Sequence, residues 1–175
     1  MQITIEQATT ADIKELGLLY DTVCTHLENN INYPGWKKGI YPIEEDAAQA
    51  VQEGSLYTAK TDGKIIGSVI LRHEPEAAYA SADWHTDLDY SDIIVIYTFA
   101  IHPAYQNQGI GSKMMEFIKD HSQKTNIKAI RLDVHQKNTP AIQLYKKHGF
   151  QYIDTVDLGY SDFGLSEFEL YQLLL

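Results

Sequence analysis

The chain has 175 residues, 44% of them hydrophobic and 22% charged, the proportions of a globular protein, which excludes wholesale disorder. That length suits one domain, 1–175, with one core. Lys plus Arg total 14 and Asp plus Glu 24, a net charge of −10 that repels phosphate backbones and argues against a nucleic-acid partner. The same charge favours a cationic small molecule or simply keeps the chain soluble. The longest apolar-rich run, Ile93 to Ile101, is too short to span a bilayer. The first residues lack a basic patch followed by an apolar stretch, so a cytoplasmic protein off the membrane is expected. Cys24 is alone, which leaves no intrachain disulfide and no cysteine metal cluster.

Residues 2–7 alternate as a strand does. Thr9 to Asp12 has the spacing of a capping box. Ile13, Leu16, Tyr20, Val23 and Leu27 then follow at helical intervals. Residues 30–42 break that pattern, and a second helix is expected over 43–53, ending at Gly54. Strands at 55–60 and 64–71 flank Thr61-Asp62-Gly63, a hairpin signal. Residues 72–91 have no period and read as a long, structureless loop, a kind that is functional or disordered in a small domain. His85 lies there among aspartates, but the spacing matches no recognised ligand pattern, so no metal is expected.

Residues 93–101 are apolar on both faces, as in a central buried strand. A loop through Gln106-Asn107-Gln108-Gly109-Ile110-Gly111 leads into a helix to about 124. Ile130, Leu132 and Val134 mark one side of a strand over 128–135. Pro140 opens another helix that stops at Gly149. Strands near 150–157 and 166–174 finish the order, an α/β (or α+β) sheet with helices on both faces.

The loop before the third helix carries the most information. Amides at a helix start lack intrahelical acceptors and attract anions, and Gly109 and Gly111 remove side chains that would block them. Spacing alone leaves a phosphate site and a plain tight turn both open. A Walker A loop is excluded because Gly111 is followed by Ser112-Lys113 in the wrong order. A dinucleotide fingerprint is excluded by Met114 and by the seven residues between strand and first glycine.

Gln106-x-x-Gly109-x-Gly111, the preceding Phe99-Ala100-Ile101-His102-Pro103 and the later Asn138-Thr139-Pro140-Ala141-Ile142-Gln143-Leu144-Tyr145-x-x-x-Gly149-Phe150 resemble the GCN5-related N-acetyltransferases (GNAT). The resemblance implies a mixed, mostly antiparallel sheet of about seven strands with the central strands splayed. It also implies acetyl-CoA as acetyl donor. Backbone groups of Phe99, Ala100 and Ile101 would pair with the pantetheine arm. Amides of Asn107, Gln108, Gly109, Ile110, Gly111 and Ser112 would cradle the pyrophosphate. Gln106 and Lys113 would border it, and Asn138 and Ala141 would line the groove. Tyr145 occupies the family's general-acid position, and the amide of Ala100 or a neighbour is the implied oxyanion donor. By spacing alone Tyr145 is a core residue.

The implied reaction moves an acetyl group to a primary amine of a small molecule or protein by direct attack in a ternary complex. Cys24, mid-helix, reads as a small buried cysteine rather than an acyl carrier. The general base is not legible. Trp36, Tyr41, Trp84, Tyr97, His135 and Tyr160 are the candidate acceptor-binding residues. Aromatic groups near acids suit a cationic amine. The bland reading makes Tyr97 core and His135 a sheet-edge polar group, and lets exposed aromatics at 33–41 and 84 form a homodimer face. A non-catalytic acetyl-CoA sensor is the alternative to an enzyme.

Overall fold

A computed structural model describes all 175 residues, Met1–Leu175. Seven strands form one sheet: β1 (Thr4–Gln7), β2 (Leu56–Thr61), β3 (Lys64–Arg72), β4 (Ile93–Ile101), β5 (Ala129–His135), β6 (Gln151–Val156) and β7 (Phe168–Leu174), in the order β1-β2-β3-β4-β5-β7-β6. Strands β4 and β5 run parallel. The pairs β1–β2, β2–β3, β5–β7 and β6–β7 are antiparallel. The four helices are α1 (Ile13–Glu28), α2 (Glu44–Glu53), α3 (Ile110–Lys124) and α4 (Thr139–Lys147). None is long and apolar enough to cross a membrane.

Contacts gather the chain into two compact units. The first holds residues 1–32, 36–71 and 97–117. Leu16, Leu19, Tyr20, Val23 and Leu27 of α1 form its core with Ala47 and Ala50 of α2 and with Leu56, Ile65 and Ile70 of the sheet. The expected capping pattern is present, because Asp12 Oδ2 accepts from the Thr9 amide at 2.8 Å and from its hydroxyl at 3.2 Å. Asp62 and Gly63, at φ 49° and 75°, make the tight β2–β3 turn. Gly67 permits a close approach: a Cβ there would lie 2.9 Å from Met114 Sδ and 3.1 Å from the Ala100 carbonyl oxygen.

The second unit holds residues 33–35, 72–96 and 118–175. Strand β5 buries Ile130, Leu132 and Val134 on one face. Its other face carries Arg131, Asp133 and His135, paired across to Gln172, Leu170 and Phe168 of β7. The segment read as a structureless loop is ordered here. It forms short 3-10 turns at Ala77–Ser81 and Tyr90–Asp92 and buries Tyr79 and Trp84. No periodicity announces this, because the two aromatics insert singly. His73 Nδ1 lies 3.0 Å from the Tyr90 carbonyl oxygen and 2.7 Å from that of Ile93, so it carries the proton and ties the start of the segment to its end.

Candidate active site

In the first unit, β4 runs on through Phe99, Ala100 and Ile101 to a 3-10 turn at Pro103–Tyr105. His102 shapes this turn: its Nδ1 accepts from the Ala104 amide at 3.1 Å. Gln108 Nε2 donates to the Ala104 carbonyl at 3.0 Å. Gln106 to Gly109 are exposed, with Asn107 at φ 59° and Gly109 at φ 80°. No atom lies within 4 Å of where a Cβ on Gly109 would sit. Helix α3 starts at Ile110, and the Lys113 amide bonds back to the Gly109 carbonyl at 3.1 Å. From His102 to Lys113 the chain carries one lysine and no acidic side chain, within a protein of net charge −10. An open helix head without local acids fits the diphosphate of coenzyme A.

The aromatic candidates of this unit come together. The Trp36 and Tyr41 rings meet edge-on at 6.2 Å, and Tyr41 Oη shares a short hydrogen bond with Thr98 Oγ1 on β4. Thr98 sits at φ 46°, a left-handed backbone that is rare for a β-branched residue and interrupts the extended strand. Tyr97 and Trp36 pack against the core. Cys24 is buried, and burial with Asp21 and Glu28 nearby pushes its thiol up to about 11, which leaves it a poor nucleophile.

In the second unit, Asn138 Oδ1 caps α4 by accepting from the Ala141 amide at 3.4 Å. Ala141 is part-buried on the first turn. Tyr145 is buried, its ring 5.8 Å from that of Phe150. Burial, reinforced by the negative charge of Asp133, raises its phenol far above the ordinary value. Asp133 accepts a 2.6 Å hydrogen bond from Tyr79 Oη. Burial, opposed by that hydrogen bond and helped by Glu76, raises its carboxyl from 3.8 to about 6. His135 and Tyr160 both pack on the Phe168 ring, at 5.4 and 6.0 Å, and His135 Nδ1 is buried with no hydrogen-bond partner. Trp84, expected on an acceptor wall or an exposed dimer face, is only 6% exposed, and its indole Nε1 donates to the Tyr79 carbonyl at 2.9 Å.

A family model described as the acetyltransferase (GNAT) family matches residues 22–150. The chain belongs to this family. It is an acetyl-CoA-dependent N-acetyltransferase. It is 22% identical over 148 residues to the S-alkylcysteine N-acetyltransferase of Bacillus subtilis, a match covering 82% of this chain and 76% of that one. A GNAT acetyltransferase from Streptococcus agalactiae shares the fold with a TM-score of 0.82 at 20% identity, over 99% and 95% of the two chains. The yncA acetyltransferase of Salmonella typhimurium, solved with its cofactor acetyl-CoA, has a TM-score of 0.73 at 16% identity, over 100% of this chain and 95% of that one.

Sequence reasoning about this acetyltransferase missed Asp133, Tyr79, Glu76 and Phe168. A signal for the first was present. Arg131, Asp133 and His135 alternate with the apolar side of β5, so the strand's second face is charged and needs a polar or aromatic cover.

Proposed function

We propose that residues 1–175 act as one domain that acetylates a primary amine by direct transfer, with Asp133 as proton acceptor and Tyr145 as proton donor. The observation that carries this reading is a carboxyl on β5, raised to about 6, whose charge bears on the buried Tyr145 phenol of α4. Asp133 is still mostly ionised at neutral pH, while burial first and the Asp133 charge second raise the Tyr145 phenol, which is protonated there. A carboxyl raised toward neutrality suits a proton acceptor, and a phenol that stays protonated holds a proton for the leaving sulfur.

The magnitudes agree. An alkylammonium has a pKa of roughly 10, so handing its proton to a carboxyl near 6 is uphill by about 5 kcal/mol. An ordinary carboxyl at 3.8 would make the step cost about 8 kcal/mol. The raised carboxyl therefore makes the proton transfer itself about 3 kcal/mol less uphill.

Acetyl-CoA supplies an activated thioester carbonyl. In the first unit, amides of Asn107, Gln108, Gly109, Ile110, Gly111 and Ser112 would hold its diphosphate, with Gln106 and Lys113 alongside. Backbone groups of Phe99, Ala100 and Ile101 would hold its pantetheine arm. In the second unit, Asn138 and Ala141 flank the start of α4, Asp133 takes the proton from the ammonium, and Tyr145 Oη holds the proton that the departing sulfur requires.

The acceptor is a cationic amine carrying an apolar or aromatic shoulder. Asp133 and Glu76 set a negative potential that, after burial, also raises the Tyr160 phenol. Phe168, Tyr160 and His135 supply the ring surface. In the first unit Trp36, Tyr41 and Tyr97 remain acceptor candidates.

The test is thiol release from acetyl-CoA across a panel of small amines and peptide N-termini, with mass spectrometry of the products. Amine-dependent release that Asp133→Asn suppresses supports the reading. Binding of acetyl-CoA with no release for any amine would favour a sensor.

A further inference from the structure

Asp133 does not stand alone. Its partner Tyr79 comes from the segment between β3 and β4 and is fully buried. Three contacts fix Tyr79 in turn. Its carbonyl accepts from Trp84 Nε1 at 2.9 Å, its ring meets the Trp84 ring at 5.2 Å, and its hydroxyl ends on Asp133 Oδ2 at 2.6 Å. Trp84 is held by Arg131, whose guanidinium carbon lies 4.1 Å from the indole centroid. Gln172 closes the ring: its Oε1 accepts from Arg131 Nε at 2.8 Å, and its Nε2 donates to the Trp84 carbonyl at 3.0 Å. Arg131 and Asp133 are two residues apart on one face of β5, so strand, clamp and carboxylate share one rigid element.

We infer that Tyr79 is a positioning residue: it fixes the orientation and protonation of Asp133, and the Trp84–Arg131–Gln172 clamp exists to hold it there. The inference rests on the reading of Asp133 as proton acceptor, but its test is independent of catalysis. A phenol donating to the ionised carboxylate favours the charged form. Without it, burial keeps Asp133 protonated to higher pH, and the free rotamer spreads the carboxylate over several positions. The other groups facing Asp133 are Glu76 at the head of the 77–81 turn, Tyr145 on α4 and Tyr160 before β7. Arg131 and His135 flank it on β5, and Leu170 lies opposite on β7 beside Glu169.

The experiment is a titration of the Asp133 carboxyl carbon by NMR in the full chain without ligand, the resonance being identified by its loss in Asp133→Asn. The expected wild-type midpoint is near 6. In Tyr79→Phe it rises by about one unit, since a hydrogen bond to a charged acceptor is lost. Should Tyr79→Phe fold poorly, Trp84→Phe keeps a ring over Arg131, removes the indole N–H, and is expected to move the midpoint the same way. A wild-type midpoint near 4, or one that neither substitution moves, overturns the inference. The acidic limb of kcat/KM for an amine found in the panel then separates the two readings. If the limb follows the NMR midpoint, both stand. If the midpoint moves and the limb does not, Tyr79 still tunes Asp133 but Asp133 is not the base.

Discussion

The Arg131 guanidinium and the Trp84 indole stack at 4.1 Å on the second face of β5. Arg131 is 3% exposed, and its hydrogen bonds go to neutral groups: Gln172, Tyr90 Oη at 2.9 Å and Thr86 Oγ1 at 3.1 Å. A buried cation without this cage would be costly. Trp84→Ala is therefore expected to lower stability by about 3–5 kcal/mol, as for other buried aromatics. Trp84→Phe should lose clearly less. Urea unfolding of the two variants checks this, and equal losses would show that the ring over Arg131 contributes nothing.

Asp133 should make the fold less stable as the solution becomes less acidic. Its carboxyl rises from 3.8 to about 6 on folding, so between those values the folded state binds more protons than the unfolded state. Stability therefore falls as pH rises from about 4 through about 6. Asp133→Asn removes the penalty while still offering an acceptor to Tyr79. At pH 7.5 it is expected to stabilise the protein by about 3 kcal/mol at most, and at pH 4 hardly at all. A gain of the same size at both pH values would show that the carboxylate is not desolvated.

Much of this fold is legible in the sequence, because its signals are local. The α1 face, the Asp62-Gly63 turn, the Gly54 and Gly149 helix ends and the Pro140 start each depend on a few neighbouring residues. The glycine loop at the head of α3 is equally local. The proposed proton acceptor is not. Asp133 gains its character from burial against a segment with no period, which raises its carboxyl, and from Tyr79, 54 residues earlier in the chain, whose hydrogen bond opposes that rise. Trp84 reads as an exposed aromatic until Arg131 is seen to lie against it. The clue that could have been used is the alternation of Arg131, Asp133 and His135 opposite an apolar face, since a central strand must cover both sides.

Tyr145→Phe should lower kcat by about 100-fold or more, the scale of losing a positioned proton donor, and leave the acetyl-CoA dissociation constant nearly unchanged. Because burial and Asp133 hold the phenol protonated well above its usual range, the wild-type rate should not decline through Tyr145 ionisation between pH 7 and pH 10. Stopped-flow rates and calorimetry on the same preparations test both points. Unchanged turnover would remove Tyr145 from the reaction.

Gly109→Leu should abolish coenzyme A binding. A side chain at φ 80° is strained whatever the space around it, so a control with the same backbone cost is needed. Gly63 at φ 75° in the β2–β3 turn also has open space around a Cβ. Gly63→Leu is expected to lose similar stability and keep its affinity for coenzyme A. Calorimetry with coenzyme A decides, and retained affinity in Gly109→Leu would mean that the diphosphate lies elsewhere.

The most direct measurement is the pH dependence of kcat/KM for wild type and Asp133→Asn, followed by thiol release with one amine at saturating acetyl-CoA. Wild type is expected to lose activity below a midpoint near 6. In Asp133→Asn that acidic limb should vanish, with the rate about 100-fold or more lower at neutral pH. A variant that keeps both the limb and the wild-type rate would contradict the assignment of Asp133 as the group that takes the proton.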